Sequence, residues 1–402
     1  MLLKDELVRI VKKQQKDLLK ELGVKRDFNI KLLSKFASII SGVRRCGKST
    51  LARQFLKNKK PVYYIYFEDI ALADFELSDF TLLEEIFEEN LGPKGIFFFD
   101  EIQNIPAWEK YVRQLVDQGK KVLITGSNAS MLSKELGTRL TGRHISKELY
   151  PFSYKEFLNL KNKKHSLLLF DEYLLKGGFP EYLKSNDEDI LRNLFQDIFY
   201  RDVMQRNDLR NEKAIKILLY YLLSNIGKEL SFNKLKSLIG VGSVNSVSQF
   251  IDHFEQAYLL FTIRKFDYSL KKQLVNPKKI YCVDNAIINT NSFSFSENKG
   301  RLLENVVFVD LLRREKEVYY HKNTYECDFV IQKGLRIVEA IQVTQKLERH
   351  NKEREINGLL EALKTHNLSQ GLILTYNQKE ELIIHGKKII IKPIWEYLQN
   401  SN

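Results

Sequence analysis

Two rhythms of apolar residues run through the first third of the chain. Residues 5–22 carry Leu7, Ile10, Val11, Leu18 and Leu19 at helical spacing, which predicts an amphipathic helix. Unbroken apolar runs follow: Ala37–Ile40, Val62–Phe67, Ile96–Phe99 and Val122–Thr125. They are β-branched and aromatic, so they read as strands. Being continuous rather than alternating, they fit a sheet covered on both faces. Ser49–Leu56, Leu82–Glu89 and Ala107–Asp117 lie between them and read as helices. The alternation predicts a parallel sheet with helices on both sides. From about Leu167 to Ile226 strand signals vanish and helices dominate, with turn chemistry at Gly177-Gly178-Phe179-Pro180. From about Lys279 β-branched strands return, broken by a charged helix around Glu348–Lys364. The expected organisation is an α/β domain over 1–160, a helical region over 161–280 and a second α/β domain over 281–402.

The loop after the first strand changes the picture from architecture to chemistry. Gly42-Val43-Arg44-Arg45-Cys46-Gly47-Lys48-Ser49 fits G-x-x-x-x-G-K-[ST], a P-loop. Its glycines let the backbone wrap phosphates, and the following helix adds partial positive charge. Gly42, Arg45, Cys46, Gly47, Lys48, Ser49 and Thr50 are the expected nucleotide-binding residues. Lys48 is expected at the β- and γ-phosphates and Ser49 on magnesium. The strand Ile96–Phe99 ends in Asp100-Glu101. Asp100 is expected to hold magnesium, mostly through water, and Glu101 to polarise the attacking water as general base. The next strand ends in Thr125-Gly126-Ser127-Asn128. Strand ends cluster at the ligand edge of a parallel sheet, so Asn128 or Ser127 is a candidate γ-phosphate sensor, and a plain polar turn is the competing reading. Arg139 and Arg143 are candidate arginine fingers, since an arginine near that edge can stabilise transition-state charge. ATP and magnesium are the cofactors these residues call for.

Composition adds less. Apolar residues make up 44% and charged residues 29%, a globular mix. No run reaches the ~20 apolar residues that span a bilayer, and the first residues lack a signal-peptide core. The expectation is a cytoplasmic protein without a membrane partner. Cys46, Cys282 and Cys327 show no C-x-x-C spacing, which argues against a disulfide scaffold or zinc site, and the seven histidines lack metal-ligand spacing. A net charge of +13 suits a polyanion such as DNA. A merely soluble basic protein has the same charge.

The loop, Phe98-Phe99-Asp100-Glu101-Ile102-Gln103, Thr125-Gly126-Ser127, Leu140-Thr141-Gly142-Arg143, Leu149-Tyr150-Pro151-Phe152-Ser153-Tyr154-Lys155-Glu156-Phe157 and Gly177-Gly178-Phe179-Pro180-Glu181 together resemble one family. Its members are prokaryotic ATP-binding proteins with an N-terminal AAA-type ATPase and a C-terminal DUF4143 domain. The resemblance covers nearly the whole chain. It implies an AAA-type ATPase and a winged-helix element in the middle, and it implies no substrate. Ser127-Asn128 departs from the family's more usual serine pair.

Phe232–Leu238, Gly240-Val241-Gly242 and Val244–Leu259 read as helix, turn, helix, with short polar groups at Ser243, Asn245, Ser246, Ser248 and Gln249. Residues 228–279 hold nine Lys or Arg and four Asp or Glu. Such a unit reads DNA or packs between domains. Further on, a helix opens at Gly300 and carries Glu304, a strand carries Asp328, and a second strand carries Gln342 and Thr344. The order resembles the restriction-endonuclease-like fold, where an Asp and an E-x-K bind magnesium and activate water. Here E-x-K reads Gln-x-Thr. Lys346, on the same face, is the candidate replacement cation. The expectation is an ATP-hydrolysing switch or motor acting on DNA. A nucleotide-dependent nuclease and a signalling or scaffold ATPase with a protein partner are the alternatives, and a homo-oligomer is among the expected assemblies.

Overall fold

A computed structural model describes residues 2–18, 22–129, 140, 142–292 and 299–400. The chain divides into two compact units, residues 1–149 with 256–258, and residues 150–255 with 259–402.

Among the described residues, the first unit is built on strands β1 (Ala37–Ser41), β2 (Val62–Tyr66), β3 (Ile96–Asp100), β4 (Val122–Gly126) and β5 (His144–Glu148). They form one parallel sheet in the order β2-β3-β4-β1-β5. Helices α1 (Lys4–Asp17), α3 (Asp79–Leu91) and α4 (Trp108–Asp117) share one core with Ala37, Ile39, Tyr63, Ile65, Phe97, Phe99, Val122 and Ile124. These strand positions alternate, so they lie on one face of the sheet. Helix α2 (Lys48–Leu56) packs against β1 and β4 and buries Leu51, Ala52 and Leu56 outside that core. The continuous apolar strands are thus covered on both faces, for the reason the pattern suggests. The strand β5 had no apolar signal. His144-Ile145-Ser146-Lys147-Glu148 is polar and half exposed because it lies at the sheet's edge.

The second unit opens with α5 (Tyr154–Lys161), α6 (Leu167–Lys176), α7 (Pro180–Ser185), α8 (Glu188–Asp197) and α9 (Glu212–Leu223). A bridge at Glu229 leads to α10 (Phe232–Ile239), α11 (Val244–Gln256) and an antiparallel ribbon, β6 (Leu260–Arg264) with β7 (Lys278–Cys282). The short helix α12 (Leu270–Val275) sits in the ribbon's connection. Helices α13 (Asn285–Asn291) and α14 (Lys299–Arg313) follow. Strands β8 (Glu317–Lys322), β9 (Glu326–Lys333), β10 (Arg336–Val343), β11 (Gln370–Thr375), β12 (Glu380–Ile384) and β13 (Lys387–Pro393) form a mixed sheet in the order β12-β13-β11-β10-β9-β8. Helix α15 (Lys352–Thr365) covers β9, β10 and β11, and α16 (Ile394–Gln399) closes the described chain. The fold is α/β, with an N-terminal parallel sheet, a helical middle and a C-terminal mixed sheet.

Candidate nucleotide site

The P-loop connects β1 to α2 and needs unusual backbone geometry. Gly47, which precedes α2, has φ +100°, and Arg45 has φ +60°. Gly42 has φ +150°, and a Cβ there would lie 2.1 Å from the carbonyl oxygen of Leu149. Only glycine fits that approach. The buried Cys46 thiol donates to the same carbonyl at 3.3 Å, and burial raises its pKa. Arg26 Nη1 braces the loop from outside by donating to the Cys46 carbonyl at 2.8 Å. No side chain caps α2, so its first N–H groups remain for an anion.

Because β4 lies between β1 and β3, the ends of all three strands meet beside this loop. The ammonium of Lys48 is buried and donates to the carbonyls of Gly42 (3.1 Å) and Val43 (3.2 Å). It lies 3.3 Å from Glu101 Oε1. Burial alone disfavours the charge, but the nearby carboxylate of Glu101, first among the groups that favour it, outweighs burial and raises the pKa. Ser49 Oγ donates to Asp100 Oδ1 at 2.8 Å, and the Thr125 hydroxyl donates to the same oxygen. Asp100 is pushed up to about 6, first by burial and next by the charge of Glu101. A buried carboxylate touching a hydroxyl, with its charge disfavoured, fits a divalent cation, which prefers hard oxygen donors and would restore the charge balance.

Glu101 departs from the strand with φ +54°. Its backbone N–H donates to Thr125 Oγ1 at 3.2 Å. Burial would raise its pKa, yet Lys48, Gln103 and Arg44 lower it on balance, so this carboxylate stays ionised. Gln103 donates to Glu101 Oε2 and also to Ser127 Oγ at 3.4 Å. Ser127 is therefore tied to Glu101 through an amide, and the adjacent Asn128 is buried at the same strand end. The structure brings Lys48, Ser49, Asp100, Glu101 and Ser127 together with two residues given no role from the sequence, Thr125 and Gln103. Both stood within the recognised segments. Only packing shows that they hold the two acids.

Arg143 requires a correction. It precedes β5, and its carbonyl accepts from Ala37 N at the start of β1. The P-loop follows the other end of β1, so Arg143 lies at the edge opposite the loop. Its exposed guanidinium pairs with Asp117, the last residue of α4. The expectation of a ligand-edge arginine fails because β5, a polar edge strand without an apolar signal, runs parallel to β1 from His144, which puts Arg143 at the strand starts. Arg139 lies outside the described residues, as does Thr141. Arg45 is exposed at the loop's crown, and Thr50 lies in the first turn of α2.

The acids of the C-terminal sheet make a separate cluster. Lys279, on β7, reaches Glu326 Oε1 (2.6 Å), Asp328 Oδ1 (3.1 Å) and Glu304 Oε1 (3.5 Å). It is almost wholly buried, although it is one of the nine Lys or Arg counted over residues 228–279. Tyr281 donates to Glu304 at 2.7 Å. Gln342 accepts from Asp328 N at 3.1 Å and donates to the buried Glu355 at 2.6 Å. Lys346, the expected replacement cation, is instead exposed and paired with Glu348 at 2.9 Å. The strand geometry that placed it on the right face ends at Val343, so its side chain goes to solvent. Among the described residues, no group of three His, Cys, Asp or Glu side chains is arranged to hold a metal ion.

The parallel sheet and the loop–strand–helix site define a P-loop ATPase domain of the AAA class. Residues 34–158 match an AAA domain, and residues 167–297 and 299–397 match two domains of unknown function, DUF8612 and DUF4143. The chain is 36% identical to the uncharacterized protein MJ1544 of Methanocaldococcus jannaschii, covering 93% of this chain and 90% of that one. It is 30% identical to an uncharacterized protein of Haemophilus influenzae, over 90% and 94% of the two chains. The chain belongs to the family of prokaryotic proteins that join an AAA domain to a C-terminal DUF4143 domain. An AAA domain implies binding and hydrolysis of ATP. No helix of the described residues is long and apolar enough to cross a membrane.

Proposed function

We propose that this protein hydrolyses ATP with magnesium and uses the turnover to act on DNA. The observation that carries the ATPase reading is the contact set of Lys48, Ser49, Asp100 and Glu101 at one sheet edge. In this reading the loop's backbone and Lys48 hold the phosphates, while Ser49 and Asp100 hold magnesium, which supplies charge to the phosphate oxygens. Glu101 takes a proton from water as the water oxygen bonds to the γ-phosphorus. The bond to the bridging oxygen breaks, and ADP leaves with that electron pair. Asn128 or Ser127 serves as the sensor, and Ser127 is linked to Glu101 through Gln103. A cavity of about 390 Å³ with Phe28, Ile30, Leu51 and Phe55 in its wall lies beside α2 and suits the adenine ring. Lys48→Ala should abolish ATP binding or turnover, measured by calorimetry and phosphate release. ATP turnover unchanged by Lys48→Ala would remove this loop as the site.

The DNA reading rests on the order of bridge, α10, α11 and ribbon, which supports a winged helix. Ser243, Asn245 and Gln249 are exposed at its turn and second helix, and Lys234, Lys271 and Lys272 are exposed nearby. The C-terminal α14-β8-β9-β10-α15-β11 order supports a restriction-endonuclease-like fold that does not cut. Lys279 neutralises its acids from within, and Gln342 replaces a charged oxygen ligand. DNA cleavage with magnesium or manganese by the wild type, lost in Asp328→Ala, would overturn that part of the reading.

A further inference from the structure

Asp100 ends β3 and Glu101 follows it, and the P-loop leaves from β1, two strands away in the order β2-β3-β4-β1. One ion pair bridges that edge from its two ends. Arg44, on the loop, reaches Glu68, two residues past the end of β2, with Nη1 at 2.9 and 3.1 Å from the two carboxylate oxygens. Loop and acid stem from strands three spacings apart, roughly 14 Å. Between them lie the ends of β4 and β3, where Thr125, Asp100 and Glu101 meet. The arm is mostly buried, with its side chain 12% exposed. The Tyr66 hydroxyl donates to Glu68 Oε2 at 2.8 Å and fixes the far anchor. Arg44 is also close enough to contribute to the electrostatic field that keeps Glu101 ionised.

The guanidinium of Arg44 stands on the phosphate loop within the electrostatic reach of the general base, at the sheet edge where negative charge grows as a γ-phosphoryl group is transferred. A planar, permanently charged group suits that charge. Arg143, by contrast, lies at the far edge of the same sheet.

We propose that Arg44 is a catalytic residue that contacts the transferring γ-phosphoryl group, an arginine finger supplied by the chain's own P-loop, with Glu68 as its positioning residue. This rests on the ATPase reading above. The reaction is unchanged: water adds to the γ-phosphorus, its proton goes to Glu101, and ADP and phosphate leave. Arg44 stabilises the charge that builds on the oxygens of the phosphoryl group in flight, and Glu68 and Tyr66 set where the arm lies.

The test uses the full chain with magnesium and compares Arg44→Ala, Arg44→Lys and Glu68→Gln with the wild type. Calorimetry reads the affinity for ADP alone and for ADP with aluminium fluoride, which mimics the phosphoryl group in transfer. The wild type should prefer the mimic strongly, and Arg44→Ala should lose about 10²-fold or more of that preference with ADP affinity kept. Its kcat should fall by a similar factor with KM little changed. Arg44→Lys should restore part of both, and Glu68→Gln should weaken both less than Arg44→Ala. A full preference for the mimic in Arg44→Ala, or an equal loss of affinity for ADP and mimic, would overturn the proposal. A wild type that binds ATP but never hydrolyses it, with or without DNA, would overturn the ATPase reading itself. Turnover in the wild type that Arg44→Ala leaves intact would overturn only the role of Arg44.

Discussion

At the scale of the residue, the nucleotide site was readable because its chemistry is local. Wrapping phosphates needs two glycines, a lysine and a hydroxyl within eight consecutive positions, and the acid pair Asp100-Glu101 follows directly on an apolar strand. Lys279 was not readable. It lies 49 residues from Asp328, and only the packing of β7 against the C-terminal sheet brings them together. The consequence is measurable. Breaking a buried ion cluster by removing one partner costs about 3–5 kcal/mol, so Lys279→Met should lose that much stability near pH 8, read by thermal or urea denaturation. Asp328 is pushed up to about 8, by burial first and then by Glu304, with Lys279 pulling it down. That lies above its unfolded value, so between the two the folded state binds more protons and stability rises as pH falls. Without the ammonium the carboxyl should hold its proton more tightly still. The deficit of Lys279→Met should therefore shrink from pH 8 towards pH 5. A deficit independent of pH would show that Lys279 does not balance these acids.

Elements were legible where a single burial pattern governs a whole segment. The strands β1 to β4 are predominantly apolar and buried because both faces are covered. The edge strand β5 is covered less and carries polar residues, so only pairing with β1 defines it. That one gap moved Arg143 to the wrong edge. In the second unit, α10 and α11 are evident from their spacing, although the second helix, expected to reach Leu259, ends at Gln256 and the polar-apolar ribbon strand Leu260–Arg264 follows it. If this element binds DNA, phosphate contacts dominate its affinity, which should fall steeply with salt. Reversing charge at Lys234, Lys236, Lys271 and Lys272 should weaken binding in a filter or anisotropy assay and flatten the salt dependence. Unaltered DNA affinity in that variant would make the element a packing module.

For the whole molecule, a net charge of +13 favours a polyanionic partner but does not choose it. DNA should raise the ATPase rate if the motor reading holds. A finger on the chain's own loop also has a kinetic signature: specific activity should not depend on protein concentration. Activity that climbs with concentration would point to Arg143 or Arg139 of a neighbouring copy. The most direct test of the central claim is the turnover of Glu101→Gln against the wild type, with ATP affinity measured in the same samples. An amide cannot take the proton from water, so affinity should be kept while turnover falls by about 10²–10⁴-fold. Equal turnover in the two proteins would contradict the assignment of Glu101 as the base and the ATPase mechanism built on it.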